Sequence, residues 1–247
     1  MLSSLWNVIL YEPLLNAMAF LVSIVPGGDV GLAVIILTVL VKIILFPLFQ
    51  HSLRNQAAMS MLAPELEKIK KSGSSKEDQA RLTFELYKKH KMNPFSGCLV
   101  MIPTILIIIA LYSVFYKGIN FESELLYSFI KVPENINMIF LGMIDIGGKS
   151  LILAVLTGLS QYFQARFMPQ FSRNNTDNTN SFQDSFTKSL NMQMKYVFPF
   201  LIAFIVYHSG VLALYFMTSN IFAIGQQIYV KKTEKKVLTK EAQTLNS

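Results

Sequence analysis

Five apolar runs divide this chain, and they leave it one environment in which to fold. Val30–Phe49 is apolar except for Thr38 and Lys42, and Phe95–Tyr116, Ser150–Met168, Met194–His208 and Val211–Val230 follow it. A helix rises about 1.5 Å per residue, so about 20 residues cross a hydrocarbon core of about 30 Å. The first, second and last runs meet that length. Met194–His208 has 15 residues, so it must thin the bilayer or bury its ends in protein. His208-Ser209-Gly210 leaves room only for a tight turn, which predicts an antiparallel hairpin of the last two runs. Too little polar sequence remains to clothe a soluble core: 52% of residues are hydrophobic and 15% charged, against about 25% charged in ordinary soluble domains. The same numbers exclude disorder. The sequence therefore predicts an all-α integral membrane protein.

Loop charge predicts the orientation. Segment 50–94 carries nine Lys and Arg, region 166–195 four, and the tail after Val230 five, which is 18 of the 22. Lys117, Lys131 and Lys149 fall on the other side, and Lys42 lies within a run. The basic side reads as cytoplasm, with the N-terminus outside, the C-terminus inside and five spans. The stretch Leu5–Val25 is long enough to span, but Asn7, Glu12, Pro13 and Asn16 interrupt it. It is read as a helix over Pro13–Val25 lying in the interface, with Pro26-Gly27-Gly28 turning into the first span. If it spans instead, only the N-terminus changes side. With no Lys or Arg before Lys42, neither a cleaved signal peptide nor a transit peptide is expected.

The expected order is an N-terminal interfacial amphipathic helix over 1–29, a first span over 30–49 and a cytoplasmic helical hairpin over 50–94. A second span follows over 95–117, an outer loop over 118–149 and a third span over 150–168. A cytoplasmic loop over 169–193, a final two-span hairpin over 194–230 and a basic tail over 231–247 complete it. The hairpin is read from Leu62, Leu66 and Ile69 on one side of Gly73 and Leu82 and Leu86 on the other, all at helical spacing. Its apolar stripe is thin, so it should be mobile or need a partner. Phe171–Ser189 is rich in Asn, Ser, Thr and Gln and reads as a flexible loop, and Asn174-Asn175-Thr176 on its cytoplasmic side is no glycosylation site. The outer loop is expected to hold short interfacial helices.

Catalytic signatures are missing. Gly147-Gly148-Lys149-Ser150 resembles the end of a phosphate loop, but Met143 stands where that loop needs a glycine. There is no nucleophile elbow and no HExxH. Asp145, at an outer edge, is read as the only acidic residue near a span, which argues against a carboxylate proton relay or an intramembrane aspartyl protease. One cysteine, Cys98, excludes internal disulfides and multi-cysteine metal sites, and His51, His90 and His208 are too scattered for a local metal motif. No catalytic residue, metal or cofactor is expected, and the protein is read as not an enzyme.

What remains is polarity inside hydrocarbon. Lys42 falls in the inner half of the first run, one turn after Thr38. A charge near the bilayer centre costs about 2.5–3.5 kcal/mol on insertion scales. Thr157, Gln161 and Gln164 form a stripe on the third run, and Tyr215, Ser219 and Gln226 form one on the last, with Phe222 among them. The stripes admit two readings. Ser, Thr and Gln often only join helices, and Lys42 can snorkel on its long stem. Alternatively the helices border a wet cavity, which the short fourth run favours.

These residues resemble a known family. Thr38-Val-Leu-Val-Lys42-Ile-Ile-Leu-Phe-Pro47, Ala63-Pro64-Glu65-Leu66-Glu67, Leu86-Tyr87-Lys88-Lys89-His90-Lys91-Met92-Asn93-Pro94 with Gly97-Cys98, and Ser209-Gly210 with Leu214-Tyr215, Ser219-Asn220 and Gln226-Gln227 occur in one order. They are similar to motifs of the YidC/Oxa/Alb membrane-protein insertases, in the short bacterial form, over Glu12 to Lys236. The resemblance implies a five-helix transmembrane core around a hydrophilic groove open to cytoplasm and lipid. It implies insertion of nascent membrane proteins into the bilayer, alone or with the Sec translocon, in the bacterial inner (cell) membrane. Implied partners are nascent membrane proteins, lipid, the Sec translocon and the ribosome, with no specific nucleic acid sequence. The implied substrate groove is lined by Lys42, Thr38, Gln161, Gln164, Tyr215, Ser219 and Gln226. Lys42 stands where the family usually has arginine, which keeps the charge but loses the planar fork. The competing reading is a small channel or secondary transporter for an anionic solute, and a further one is an assembly scaffold with no groove.

Overall fold

The computed structural model describes residues 6–72, 75–90, 96–116, 126–131, 133–168, 189 and 192–245. Among them the chain is almost wholly helical. Helix α1 (Asn7–Ile24) opens with a π-helical turn over Asn7–Tyr11 and passes into α-helix at Glu12 and Pro13, where the proline has no N–H to give the preceding turn. Val25 then turns extended, and the short 3-10 turn Pro26–Gly28 leads into helix α2 (Val30–Ile44). Gly28 has φ +64°, and a Cβ there would collide with the Asn135 carbonyl. Asp29 caps α2 by accepting the Leu32 N–H at 3.0 Å.

Helix α3 (Phe46–Met61) leaves α2 at a bend of 61°. Pro47 supplies the cause: it has no N–H to donate, and its ring crowds the Ile43 carbonyl four residues back. The apolar run 30–49 passes through this bend. Helices α4 (Ala63–Lys71) and α5 (Lys76–Lys89) make a hairpin, with the Ser75 side chain accepting the Asp78 N–H at 3.1 Å. Leu62 and Leu86 are buried, whereas Phe84 is exposed. The ion pairs here, Arg81–Asp78 at 3.3 Å and His90–Glu65 at 3.9 Å, are solvent-exposed and contribute little. Desolvation raises the pKa of the half-buried Tyr87 phenol.

Helix α6 (Ser96–Tyr116) buries Ile107, Ala110, Leu111 and Val114 at helical spacing. Helices α7 (Leu151–Phe167), α8 (Gln193–Val206) and α9 (Gly210–Leu245) complete the fold. Helix α9 is the hub, packing on α7, α2 and α3, while α8 packs on α7 and α1 on α2 and α6. By length and composition, Asn7–Ile24 and Gly210–Thr233 suffice to cross a membrane, α2 with Phe46–Asn55 forms a bent third candidate, and Ile102–Val114 and Gln193–Val206 are apolar but shorter. Ile44, Leu151, Phe200 and Phe204 are exposed. Each Å² of such surface costs about 25 cal/mol in water and nothing in lipid, so these outward faces suit a bilayer.

The segment 118–149, expected outside, departs from expectation in its described part. Its described part holds no helix; strands β1 (Ile139–Phe140) and β2 (Ile144–Asp145) pair antiparallel, Ile139 with Asp145 and Phe140 with Ile144. Leu141 and Gly142 turn the chain with φ +51° and +71°, which glycine adopts freely and leucine only when held. The hairpin lies across the start of α2: the Val30 N–H donates to the Asn137 carbonyl at 3.0 Å and the Asn137 N–H to the Gly28 carbonyl at 2.9 Å. Ile146 is 0% exposed. The start of α9 fits against it closely, since a Cβ on Gly210 would lie 2.7 Å from the Ile146 Cα. The expected cytoplasmic loop 171–189 apart from residue 189, the glycosylation triplet 174–176 and the motif exit 91–95 lie outside the described residues.

Candidate functional site

Lys42 is 8% exposed near the C-terminal end of α2. Among the described residues no carboxylate pairs with it. Its Nζ instead lies 4.7 Å from the ring centroid of Phe49, on the far side of the bend. Thr38, one turn earlier, is buried and turns inward on its own helix, its hydroxyl donating to the Val34 carbonyl at 2.7 Å.

The bend is fastened to α9. Gln226 Nε2 donates to the Phe46 carbonyl at 3.1 Å. The Phe46 ring meets Phe222 edge-on at 6.5 Å and Tyr229 at 6.3 Å. Phe222, Gln226 and Tyr229 share one face of α9 at helical spacing. Gln226, expected in the groove lining, thus holds the hinge. Beside it Gln227 is buried, and its side-chain oxygen has no hydrogen-bond partner among the described residues.

A second polar seam joins α7 to α9. The Thr157 hydroxyl donates to the Ala213 carbonyl at 3.0 Å, Asn220 Nδ2 to Ser160 Oγ at 3.0 Å, and Lys231 Nζ to the Phe167 carbonyl at 2.7 Å. The last contact closes the C-terminal end of α7, where a cation complements the free carbonyls. Thr157 is 0% exposed, so its hydroxyl serves helix packing. Gln161 and Gln164 contact each other, Nε2 to Oε1 at 3.3 Å, and this is the one hydrogen bond among the described residues that joins two of the seven expected lining residues. Tyr215 is buried in the apolar core with its ring edge toward Phe216 at 5.4 Å. Ser219 is buried on the same helix.

Sequence spacing alone does not reveal several residues of the site. Phe49 stands seven residues past Lys42, and the two meet across the bend. Asn220 and Ser160 lie beside the polar stripes rather than in them. Asp29 corrects the reading of Asp145 as the only acid near a span, and its signal in the sequence is that of a capping residue before Val30.

Residues 20–237 match the family described as 60Kd inner membrane protein. The chain belongs to that family. Within the 60Kd inner membrane protein family, the chain is 32% identical over 231 residues to a membrane protein insertase YidC of Fusobacterium nucleatum, covering 90% of this chain and 97% of the relative. It is 31% identical over 238 residues to the namesake of Oceanobacillus iheyensis, covering 92% of this chain and 84% of that one. Against the Pelobacter propionicus member, at 29% identity, it spans 39% of the relative's length. The fold matches a crystal structure of an active YidC insertase with a TM-score of 0.56 and 21% identity, covering 89% of this chain and 45% of that one. The family resemblance read from the motifs and the all-α membrane fold are both met.

Proposed function

We propose that this protein inserts nascent membrane proteins into the lipid bilayer. The observation that carries the reading is the similarity to the Fusobacterium nucleatum insertase across 97% of that relative's length. A buried cation with no carboxylate partner among the described residues is the local feature in accord with it.

The mechanism rests on partition. A client's polar flank has about 30 Å of hydrocarbon to cross. A wet groove on the cytoplasmic side, lined by Lys42, Thr38, Gln161, Gln164 and Ser219, with Gln226 at its hinge and Tyr215 behind it in the core, covers part of that distance. Lys42 attracts an acidic flank, and the client's apolar segment moves sideways into lipid. Burial of that segment drives the step, so the reading calls for no catalytic residue or nucleotide. The interlocked outer loop around Ile146 keeps the far end shut.

In this reading the core has five spans in the bacterial inner membrane, the N-terminus lies outside and the C-terminus in the cytoplasm, and α1 lies along the outer interface. Asn16, in the middle of α1, accepts the Tyr127 N–H of the outer loop at 2.7 Å, which supports that placement. The hairpin of α4 and α5 receives clients, and the Sec translocon and the ribosome are partners. The test is photocrosslinking from Thr38, Gln161 and Ser219 to a stalled nascent membrane protein, with insertion measured in proteoliposomes. Crosslinks from all three with client insertion support the reading. Solute flux without insertion would overturn it in favour of a channel or transporter.

A further inference from the structure

On an unbroken helix, residues seven apart lie on one side but about 10 Å apart along the axis. Side chains on a helix also lean toward its N-terminus, which takes the Lys42 stem away from Phe49 and the Phe49 ring back toward Lys42. The 61° bend between α2 and α3 lies between the two residues, and the Lys42 Nζ stands 4.7 Å from the Phe49 ring centroid. The aromatic face is electron-rich and is what stands against the charge here. The hinge backbone is fixed to α9 through the Phe46 carbonyl and ring. Among the described residues the part-buried Phe49 ring, three residues on, has the Lys42 contact and no ring contact to α9.

We propose that Phe49 is a displaceable aromatic cap on Lys42 that sets how strongly the site favours acidic-flanked clients. The proposal rests on the insertase reading above. A client carboxylate carries a full charge where the ring offers only a quadrupole, so an acidic flank displaces the ring and takes the ammonium. A neutral flank leaves the cap closed and enters by partition alone. A merely space-filling Phe49 would affect both kinds of client alike.

The test uses the full chain in lipid nanodiscs and proteoliposomes, comparing the parent with Phe49→Leu, Phe49→Met and Phe49→Trp, each checked for folding by thermal melting. Reductive methylation of Lys42, followed by peptide mass spectrometry with exposed Lys149 as reference, reads the cap directly. Losing the ring in Phe49→Leu and Phe49→Met should raise the Lys42 rate roughly 2- to 30-fold, and Phe49→Trp should lower it. Insertion of paired clients differing only in flank charge reads the selection: acidic-flanked clients should insert faster with Leu and slower with Trp, neutral ones unchanged. Equal methylation in all four proteins overturns the cap. Altered methylation with both clients shifting together overturns the selection. A parent that inserts neither client overturns the insertase reading and the selection with it, while methylation still decides whether the cap exists.

Discussion

Asp29 Oδ2 accepts the Leu141 N–H at 2.8 Å, across 112 residues of chain. The other carboxylate oxygen, Oδ1, caps α2 through Leu32. One side chain thus starts a helix and holds the positive-φ turn of the β1–β2 hairpin. Asp29→Ala should remove both contacts, at about 1–2 kcal/mol for the cap alone. The melting temperature in detergent should fall by several degrees, and Asp29→Asn, which keeps a capping oxygen, should fall less. Hydrogen exchange at the Leu32 and Leu141 amides should speed up together; protection retained at Leu141 would show that the hairpin is held elsewhere.

Lys42 separates a groove cation from a snorkelling anchor. Two unit charges at 4 Å gain about 4 kcal/mol at an effective dielectric of 20. For acidic-flanked clients, Lys42→Arg should be as active as the parent or better, Lys42→Ala impaired and Lys42→Glu worst. Neutral-flanked clients should suffer less. The measurement is insertion of matched clients at equal protein levels, and equal activity of the three variants toward acidic flanks would leave Lys42 a tolerated polar residue.

Thr157 separates lining from packing. Its hydroxyl is spent on the Ala213 carbonyl, so Thr157→Val should cost about 0.6 kcal/mol, the typical worth of an interhelical hydrogen bond in a bilayer. Insertion per folded molecule should not change. A loss of insertion at unchanged stability would return Thr157 to the client path.

Orientation is checked by single cysteines at Ser75, Asn178 and Gln243. Impermeant maleimide should reach each of them only from the cytoplasmic side, and labelling of any in intact cells would reverse the reading drawn from loop charge.

Deleting Pro64–Lys89 with a short linker should leave an inserted protein that handles clients poorly, because among the described residues of that segment Leu86 is the only buried apolar one. Full rescue of a depleted strain by this variant would show that the hairpin is dispensable.

The amino-acid sequence by itself determines the solvent of this protein. About 20 uninterrupted apolar residues with little charge around them have nowhere to go but lipid. Pro47 and Asp29 act on the residues next to them, the one by its ring and missing N–H and the other by its side-chain oxygen, yet 30–49 reads as one span and Asp145 as the only acid near a span until the structure shows the bend and the cap. The polar stripes are legible only as faces. Helical spacing tells which residues look the same way and says nothing of what they look at. Helix α9 packs on α7, α2 and α3 at once, so the neighbouring helices decided each polar residue's role. Thr157 and Asn220 went into the seam with α7, Gln226 onto the hinge carbonyl and Tyr215 into the apolar core. Lys42 kept a charge without a carboxylate among the described residues. Its aromatic neighbour lies across a 61° bend that Pro47 opens and that Gln226 ties to α9 through the Phe46 carbonyl.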